Sequence, residues 1–415
     1  MSHLQWRKLD ILDRIGRGEL TLAEGAKLVG LSRRQLQRLR QKVRVNGPKA
    51  VVHGNTGRSP AHKTAELIRR RVVELARGKY AGFNDEHFTE KLYSEEGLDL
   101  ARQTVRRILR ASGIASPRKR RAATHRRRRD RFPQAGQMIL WDGSRHDWLE
   151  GRGPRLCLTG AIDDATGELL PGAHFVDQEC SLGYLRVLLE IVAAKGIPMS
   201  AYMDRHGILK RNDQHWTLPE QLAGRQEPTQ VRRALDDLGI RTIYALSPQA
   251  KGRVERLWGT LQDRLVSELR LAKVSDAASA NAFLVKYRLE HNARFAVAAA
   301  NSNPAWQPVP EGLDPEEVCC FQYVRMVKGN NTVRIGKQVI DIPARAGRAS
   351  FSRATVVVRH LLRGEYRVLY QGKCVASAQA PVPTEPMQEA RTEPAWKEQQ
   401  AKAKRRRGET ESLAG

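Results

Sequence analysis

The sequence lacks any apolar run long enough to cross a membrane. A membrane-spanning helix needs about 20 consecutive apolar residues, and no stretch of the 415-residue chain approaches that length. No apolar secretory segment follows Met1 either, although export by that route would require one. We therefore expect no membrane partner and a cytoplasmic location.

Cysteine is scarce, and its spacing excludes two classes of small domain. The five cysteines are odd in number and contain no CxxC pair, which argues against both a disulfide framework and a zinc knuckle. We expect them to be reduced packing residues. They are Cys157, Cys180, Cys319, Cys320 and Cys374.

Acidic residues are few in relation to basic ones. The chain has 72 Lys and Arg against 45 Asp and Glu, which gives a formal net charge of +27 at pH 7. A surplus of this size indicates a polyanionic partner, and without a membrane segment the predicted partner is nucleic acid. The length exceeds what one hydrophobic core serves, so several domains are expected.

Residues 1–46 have the pattern of a helix-turn-helix unit. A helical segment at residues 20–29 is followed by a turn at Gly30, and Ser32 is in position to cap a second helix. Leu36 begins the apolar face of that helix, which leaves a basic face for a DNA major groove. A small helical bundle with a solvated basic face is the alternative. The predicted DNA contacts are Arg33, Arg34, Gln35, Gln37 and Arg38.

Residues 60–116 contain three further helical patterns. The last, from about residue 101, directs Val105, Ile108 and Leu109 inward and a basic surface outward. We interpret this region as a second helix-turn-helix-like DNA-binding unit, although a basic helix also serves solubility. Its predicted DNA contacts are Arg102, Gln103, Arg106 and Arg107.

Two segments carry charge but few core-forming residues. Residues 117–134 are predicted to be a basic linker arm that binds the phosphate backbone of DNA without regard to sequence. Residues 381–415 are rich in Pro, Glu, Gln and Lys and are predicted to be a disordered basic tail.

Residues 135–315 alternate between strand and helix patterns. Three antiparallel strands, followed by alternating helices and strands, form the order of a ribonuclease-H-like (RNase H-like) α/β fold. The polar, irregular segment 207–228 is interpreted as an insertion into that fold. The predicted strands are residues 137–142, 156–162, 168–176, 199–203 and 241–245.

Residues 316–380 contain five short strand patterns, with a hairpin signal at residues 329–331. Such a density of short strands predicts a small SH3-like β-barrel. The predicted fold class is therefore multidomain, with all-α helix-turn-helix units, a central α/β catalytic core and a C-terminal β-barrel.

Three acidic residues of the core are placed to bind metal ions. Asp142 and Asp204 each follow an apolar strand, and Glu255 lies on the flank of an amphipathic helix. Phosphodiester chemistry uses two metal ions about 3.5–4 Å apart, and Mg²⁺ prefers oxygen ligands. We predict that Asp142 bridges two Mg²⁺ ions, or Mn²⁺ in their place, and that Asp204 and Glu255 complete one ion each.

Each of these residues also has a structural interpretation. An aspartate at a strand end commonly caps a turn, and a glutamate at a helix start complements the helix dipole. Lys251 and Arg253, which precede Glu255, are predicted to contact DNA phosphates. Asp163 and Asp164 are predicted to be turn residues.

Together these segments resemble the integrase-core transposases of bacterial insertion sequences, a DDE superfamily that includes retroviral integrase, and within it the ISNCY-type group. The resemblance covers nearly the whole chain. It depends on residues 139–144, 161–164, 202–207 and 247–256, and on Tyr287, His291, Asn292, Arg294 and Phe295.

The resemblance implies a catalytic role and metal binding for Asp142, Asp204 and Glu255. It also implies binding to terminal inverted repeats, metal-dependent DNA cleavage, and transfer of the freed 3′ hydroxyl into target DNA. Double-stranded DNA would be the partner, and the protein would assemble as a homo-multimer on paired DNA ends in the bacterial nucleoid. Two departures are a longer separation between Asp204 and Glu255 than is usual, and the lack of a zinc-binding module at the front.

Two other functions remain open. One is a catalytically inactive helix-turn-helix regulator, against which the intact acidic trio argues. The other is an RNase H-fold nuclease without strand transfer, which has less use for two DNA-reading units and a C-terminal β-barrel.

Overall fold

The structure is a computed structural model in which the chain divides into two compact units, Met1–Glu74 and Leu75–Gly415. Lys251, residues 118–128 of the predicted basic arm and residues 384–415 of the predicted tail lie outside the described residues. The structure describes residues 1–57, 63–117, 129–211, 216–245, 252–345 and 348–383.

The first unit contains three helices where the sequence predicted a helix-turn-helix. Thr21 and Ser32 cap the second and third helices, because each side-chain oxygen accepts a hydrogen bond from a backbone N–H three residues later. Gly30, with φ of 71°, ends the second helix in the left-handed conformation that favours glycine. Leu36 is buried against the first helix and its neighbours. The helices are α1 (His3–Gly16), α2 (Leu22–Val29) and α3 (Arg33–Asn46).

Three more helices precede the sheet: α4 (Glu66–Arg77), α5 (Asp85–Ser94) and α6 (Arg102–Ala111). Asn84 caps α5 by accepting a hydrogen bond from the backbone N–H of His87 at 2.8 Å. The buried face of α6 consists of Val105, Ile108 and Leu109, as its apolar spacing predicted.

The central sheet has five strands in the order β3-β2-β1-β4-β5. The first three strands pair antiparallel, while β4 is parallel to both β1 and β5. This order and these directions agree with the predicted α/β core. The strands are β1 (Ile139–His146), β2 (Leu156–Asp163), β3 (His174–Val176), β4 (Ser200–Met203) and β5 (Arg241–Tyr244).

Two strands differ from their predicted bounds by more than one residue. The first strand continues past Asp142 to His146, because its second half keeps pairing with β2 as far as the pair His146↔Leu156. The third strand is much shorter than predicted. Pro171 has no backbone N–H to pair, and Gly172 has φ of 81°, so the chain joins β2 there through one bridge at Leu169 only.

Helices cover both faces of this sheet. Alternate residues of β1 point to opposite faces, so that Ile139 and Trp141 pack with α7 (Ser181–Lys195) and α9 (Gln230–Asp237). Leu140 belongs to a second core, with α10 (Gly252–Leu271) and α11 (Ala277–Phe295). A short helix, α8 (Leu218–Ala223), lies within the segment that we interpreted as an irregular insertion.

The C-terminal region forms two sheets. A four-stranded antiparallel sheet has the order β11-β10-β9-β6, and β7 pairs with β8 separately. The described strands do not close into a barrel, so the SH3-like prediction is not confirmed. Strand β11 was not predicted. The elements are α12 (Pro315–Val318), β6 (Phe321–Met326), β7 (Thr332–Ile335), β8 (Gln338–Asp341), β9 (Thr355–Leu361), β10 (Glu365–Tyr370) and β11 (Lys373–Gln379).

The five cysteines are all free, as expected. Cys157, Cys319 and Cys320 are buried, whereas Cys374 is exposed and does not fit the predicted packing role. Among the helices that the structure describes, none combines the length and the apolar character that crossing a membrane requires.

Candidate active site

The two strand-borne carboxylates lie on neighbouring strands in matching register. Leu140 of β1 pairs with Tyr202 of β4 in the parallel direction. Continuing that register by two residues brings Asp142 opposite Asp204, with both side chains on the same face of the sheet. Asp204 follows the last residue of β4, and adjacent strands are about 4.8 Å apart, so this register predicts neighbouring carboxylates at this edge.

Helix α10 covers the face on which these aspartates lie. The indole Nε1 of Trp258 donates a hydrogen bond to Asp142 Oδ2 at 3.2 Å, and Gln262 Nε2 donates to Ser144 Oγ at 3.1 Å. Gly160 lies opposite Asp142, and a Cβ there would be in ordinary van der Waals contact with the Trp258 ring at 3.5 Å. The helix therefore runs alongside β1 at the level of Asp142.

Glu255 lies on the same flank of α10 as these two contacts. At 100° per residue, Glu255 is about 20° from Gln262 and about 60° from Trp258 around the helix axis. Its side chain is exposed, whereas Asp142 and Asp204 are half-buried. The Asp204 carboxylate accepts a hydrogen bond from the backbone N–H of His206 at 3.0 Å, which turns the chain after β4.

The acidic trio is not gathered into one cluster. Across the part of the chain that the structure describes, no three His, Cys, Asp or Glu side chains lie close enough to share a metal ion. Asp142 and Asp204 are brought together by strand register, and Glu255 is on the adjoining helix flank with its side chain in solvent. The donor set is nevertheless suited to Mg²⁺, because it consists of carboxylate oxygens at an open sheet edge. The assignment of the three ligands stays a prediction.

A third carboxylate, that of Glu179, reaches the same edge from the opposite face. It packs against Gly143, where a Cβ would lie 2.8 Å from the Glu179 carboxyl carbon, and it accepts a hydrogen bond from the buried Tyr184 hydroxyl. Burial and the charge of Glu179, with smaller contributions from Asp142 and Asp204, raise the pKa of Tyr184 well above its usual range. The Tyr184 hydroxyl is therefore a neutral donor beside this acidic edge.

Asp163 is the last residue of β2, whereas Asp164 lies in the turn that follows, as predicted, and both are buried. Asp163 organises the turn, because its carboxylate accepts hydrogen bonds from the backbone N–H groups of Gly136, Ala165 and Thr166. Burial nevertheless raises the pKa of Asp163, against the opposite effect of these hydrogen bonds.

Arg253, which we predicted to contact DNA, is engaged inside the protein. It forms an ion pair with Asp164, and its Nη2 donates to the Arg129 carbonyl oxygen at 2.5 Å. Its side chain is only 15% exposed. A contact between this guanidinium and a DNA phosphate therefore requires these bonds to open.

The downstream motif residues support the turn and the helices around it. The side-chain amide of Asn292 forms two hydrogen bonds with the backbone of Leu169, at 2.8 and 2.9 Å. His291 is buried between the rings of Tyr287 and Phe295. Asn292 thus holds α11 against the segment between β2 and β3. None of the bonds described for these residues reaches the carboxylate edge.

The predicted DNA-binding face of α3 is exposed. Of the predicted contacts, Gln35 is already engaged within the helix. Its Oε1 accepts a hydrogen bond from the backbone N–H of Ser32 at 2.9 Å and completes the helix cap. The exposed side chains are those of Arg33, Arg34, Gln35, Gln37 and Arg38.

The predicted face of α6 is also exposed. Arg102 pairs with Glu86 at 2.9 Å, and Arg107 donates to the Thr104 hydroxyl at 3.3 Å. The exposed side chains are those of Arg102, Gln103, Arg106 and Arg107.

Several residues near the site escaped the sequence analysis. Trp258 was not among the predicted site residues, although its position one turn after Glu255 could have indicated a polar contact. Glu179 and Tyr184 reach the edge of β1 only because α7 packs under that strand, and no spacing in the sequence reveals that approach. The burial of Asp164 likewise depends on chain segments that are distant in sequence.

Two known proteins that are similar to the chain are named as transposases. The chain is 33% identical over 345 residues to y4bF, a Sinorhizobium fredii protein named as a transposase, covering 82% of this chain and 73% of that protein. It is 32% identical over 326 residues to the transposase for insertion sequence IS1202 of Streptococcus pneumoniae, covering 70% and 68%. The chain is therefore an enzyme of the polynucleotidyl transferase type. It belongs to the integrase-core transposases of bacterial insertion sequences, which confirms the resemblance seen in the sequence.

Solved structures with similarity to the chain are retroviral. A simian T-cell lymphotropic virus intasome in complex with the PP2A regulatory subunit B56 gamma has 14% identity and a TM-score of 0.31, covering 75% of this chain and 99% of the other. The HTLV-2 integrase catalytic core with magnesium has 14% identity and a TM-score of 0.28, covering 40% and 93%. Similarity at these TM-scores supports no conclusion about this chain. No family profile matches the sequence.

Proposed function

We propose that this protein is a DDE transposase that binds the terminal inverted repeats of its insertion sequence, cleaves DNA there and joins the freed 3′ end to target DNA. The observation that supports this most directly is the register of β1 and β4, which predicts that Asp142 and Asp204 are neighbours beneath the helix that carries Glu255. Membership of the transposase family supplies the substrate class.

Asp142, Asp204 and Glu255 are the proposed ligands of two Mg²⁺ ions. Bound there, divalent ions would supply charge neutralisation at the reacting phosphate. The protein's own contribution is to orient these carboxylates. Trp258 holds Asp142 by its indole N–H, and the backbone of His206 holds Asp204. In the first step water replaces the 3′ oxygen of a phosphodiester and leaves a 3′ hydroxyl. In the second step that hydroxyl oxygen replaces the 3′ oxygen of a target phosphodiester.

DNA binding is assigned to the basic surfaces of α3 and α6 and to the arm that ends at residue 134. The exposed arginines of both helices are suited to phosphates or base edges. Arg253 is paired with Asp164, so it could contact DNA only after that ion pair opens. A homo-multimer on paired DNA ends is proposed from the family.

The test is a cleavage and joining assay with DNA that carries the ends of the element, in Mg²⁺ or Mn²⁺. Asp142→Asn, Asp204→Asn and Glu255→Gln should each lower both reactions by about a thousandfold or more, which corresponds to about 4 kcal/mol in the barrier. Binding to the same DNA should persist, since none of the three lies on α3 or α6. Glu290→Gln, which changes an exposed acid of α11, is the matched control and should leave both reactions unchanged.

The same assay separates the alternatives. Cleavage without any joined product would identify a nuclease, and specific binding without cleavage by the wild-type protein would identify a regulator. Full joining activity in any one of the three variants would remove that residue from the site.

Sequence-specific binding of α3 to the ends of the element is tested separately. Arg34→Ala should weaken binding to the terminal repeat by about 1–3 kcal/mol and binding to random DNA by less, because a base contact carries specificity. The measurement is Kd on both DNAs at one salt concentration. Arg7→Ala, an exposed change on α1, is the control. An equal loss on both DNAs would reassign Arg34 to the phosphate backbone.

A further inference from the structure

A buried ionic cluster lies next to the first turn of α10. Its centre is Asp164, whose side chain has 0% exposure. The cluster consists of Asp164, Arg129, Arg253 and the backbone N–H of Phe132. Two guanidinium groups and one N–H therefore surround a single carboxylate, which satisfies the requirement that a buried charge be paired and hydrogen-bonded.

One side of this cluster is the proposed catalytic helix. Arg253 lies two residues before Glu255 in the first turn of α10 and bonds to Asp164. The opposite flank of the same helix is held to the sheet by the bond from Trp258 to Asp142. The start of α10 is thus fixed from two sides, and Glu255 lies between these two contacts along the chain.

The other side of the cluster is the end of the basic arm. Arg129 Nη2 donates to Asp164 Oδ1 at 2.6 Å, and the Phe132 N–H donates to Asp164 Oδ2 at 2.9 Å. Arg131 adds a bond from its Nη1 to the carbonyl oxygen of Ala165 at 3.0 Å. Arg129 is 48% exposed, against 15% for Arg253. Of the two arginines, Arg129 is therefore the one that a DNA phosphate reaches.

We propose that Asp164 is a positioning residue for Glu255. By joining Arg253 to Arg129 and Phe132, its carboxylate fixes the first turn of α10 and couples the placement of Glu255 to the end of the basic arm. This inference rests on the proposed transposase function, because it gives Asp164 a role through Glu255. It goes beyond turn formation, which Asp163 performs through its backbone contacts.

The experiment is hydrogen–deuterium exchange of the full chain, with DNA cleavage measured in parallel. In Asp164→Asn, exchange of the amides of residues 252–258 should rise about tenfold, since asparagine carries no charge and has one acceptor oxygen in place of two. Exchange of residues 262–271 should stay unchanged. The cleavage rate kcat should fall about tenfold, while Kd for the DNA ends stays as in the wild type.

Four further variants make the test specific. Arg253→Ala should reproduce the local rise in exchange, and Arg253→Lys should restore part of the wild-type protection because it keeps the charge. In the Asp164→Asn background, Arg253→Ala should add little, as expected for two members of one contact. Glu168→Gln removes a carboxylate from the same turn that pairs with Lys195 at 3.0 Å, and it should change neither readout.

Unchanged exchange of residues 252–258 in both Asp164→Asn and Arg253→Ala overturns the proposal. A rise spread evenly over the whole core also overturns it, because that pattern means general destabilisation. If Asp164→Asn does not fold, Arg253→Ala and Arg253→Lys decide the question by the same criteria. Failure of the proposed function is distinct, since the wild-type protein would then lack cleavage whatever the exchange pattern.

Discussion

The two halves of α10 are held by different kinds of contact. The C-terminal half is tied to α5 by ion pairs with little exposed surface: Arg264 bonds to both oxygens of Glu90 at 2.7 and 2.9 Å, and Glu268 bonds to Lys91 at 2.9 Å. The N-terminal half contacts the sheet and its turn through single side chains, Trp258 and Arg253. The C-terminal half of α10 is therefore held by several ion pairs to α5, whereas its N-terminal half is held by the side chains of Trp258 and Arg253.

This difference separates stability from catalysis along one helix. Burial would raise the pKa of Glu268, but hydrogen bonds from His87 and Lys91 outweigh it, so the pKa is lowered and the carboxylate stays ionised within the network. Such paired, desolvated charges cost much stability when one partner is removed. The N-terminal half positions the proposed metal ligands instead, so changes there should alter reaction rate more than unfolding.

The largest expected effect in this comparison is on stability, from Arg264→Ala. Removing the guanidinium takes away two charge-assisted bonds and leaves Glu90, whose side chain is 23% exposed, with Arg294 as its remaining ion-pair partner. The expected cost is about 2–3 kcal/mol in the free energy of unfolding. DNA cleavage by the folded fraction should be unchanged. Urea unfolding followed by circular dichroism, with cleavage assayed in native buffer, measures both quantities.

The control for Arg264→Ala is an ion pair of the surface. Lys286→Ala breaks an exposed pair with Glu290 at 3.7 Å and should cost less than about 1 kcal/mol. Glu90→Ala should destabilise as Arg264→Ala does, and the double variant should cost less than the sum. A stable Arg264→Ala protein that has lost cleavage would reverse the assignment of the two halves.

Sequence patterns predicted those helices and strands whose bounds depend on residues close together in the chain. The apolar spacing of Val105, Ile108 and Leu109 predicted the buried face of α6, and the run before Asp204 predicted the end of β4. Features that depend on distant segments were missed. The first strand continues past Asp142 because β2 pairs with its second half, and that partner is not visible from the strand's own residues.

Contacts between segments distant in sequence also account for what was not predicted in the C-terminal region and at the site. Five of its six strands were predicted from β-forming residues, but which strands pair depends on contacts far apart in sequence, so the order β11-β10-β9-β6 did not follow. At the site, the residue types at Asp142, Asp204 and Glu255 were recognisable. The bonds that orient them, from Trp258 and through Asp164, arise only when α10 packs on the sheet.

A second prediction concerns pH and a residue of α11, His291, that is influenced by Arg264 in the C-terminal half of α10. His291 of α11 is 4% exposed, and its Nδ1 is buried without a hydrogen-bond partner. Burial, with a smaller contribution from Arg264, lowers the pKa of His291 to about 4. The unfolded chain takes up this proton near pH 6.5, so the folded state loses stability as pH falls from about 6.5 to about 4, by about 2 kcal/mol at pH 5.

His291→Phe tests this contribution, because phenylalanine keeps an aromatic ring between Tyr287 and Phe295 and does not titrate. The free energy of unfolding of the wild type minus that of the variant should fall between pH 7 and pH 5. Carboxylates elsewhere titrate in both proteins and cancel in the difference. A difference that is constant over this range would mean that His291 is not held neutral in the fold.

The smallest expected effect is on the weakly held half, from Trp258→Phe. The change removes the N–H that bonds to Asp142 at 3.2 Å and should lower the cleavage rate about tenfold, as losses of groups that orient metal-binding carboxylates do. Trp148→Phe is the matched control, because that indole donates to the Ser144 backbone oxygen at 3.1 Å and is equally buried. Both variants remove one indole bond, so their unfolding free energies should fall by similar amounts, while only Trp258→Phe slows cleavage. Equal rates in the two variants would show that the orientation of Asp142 does not depend on α10.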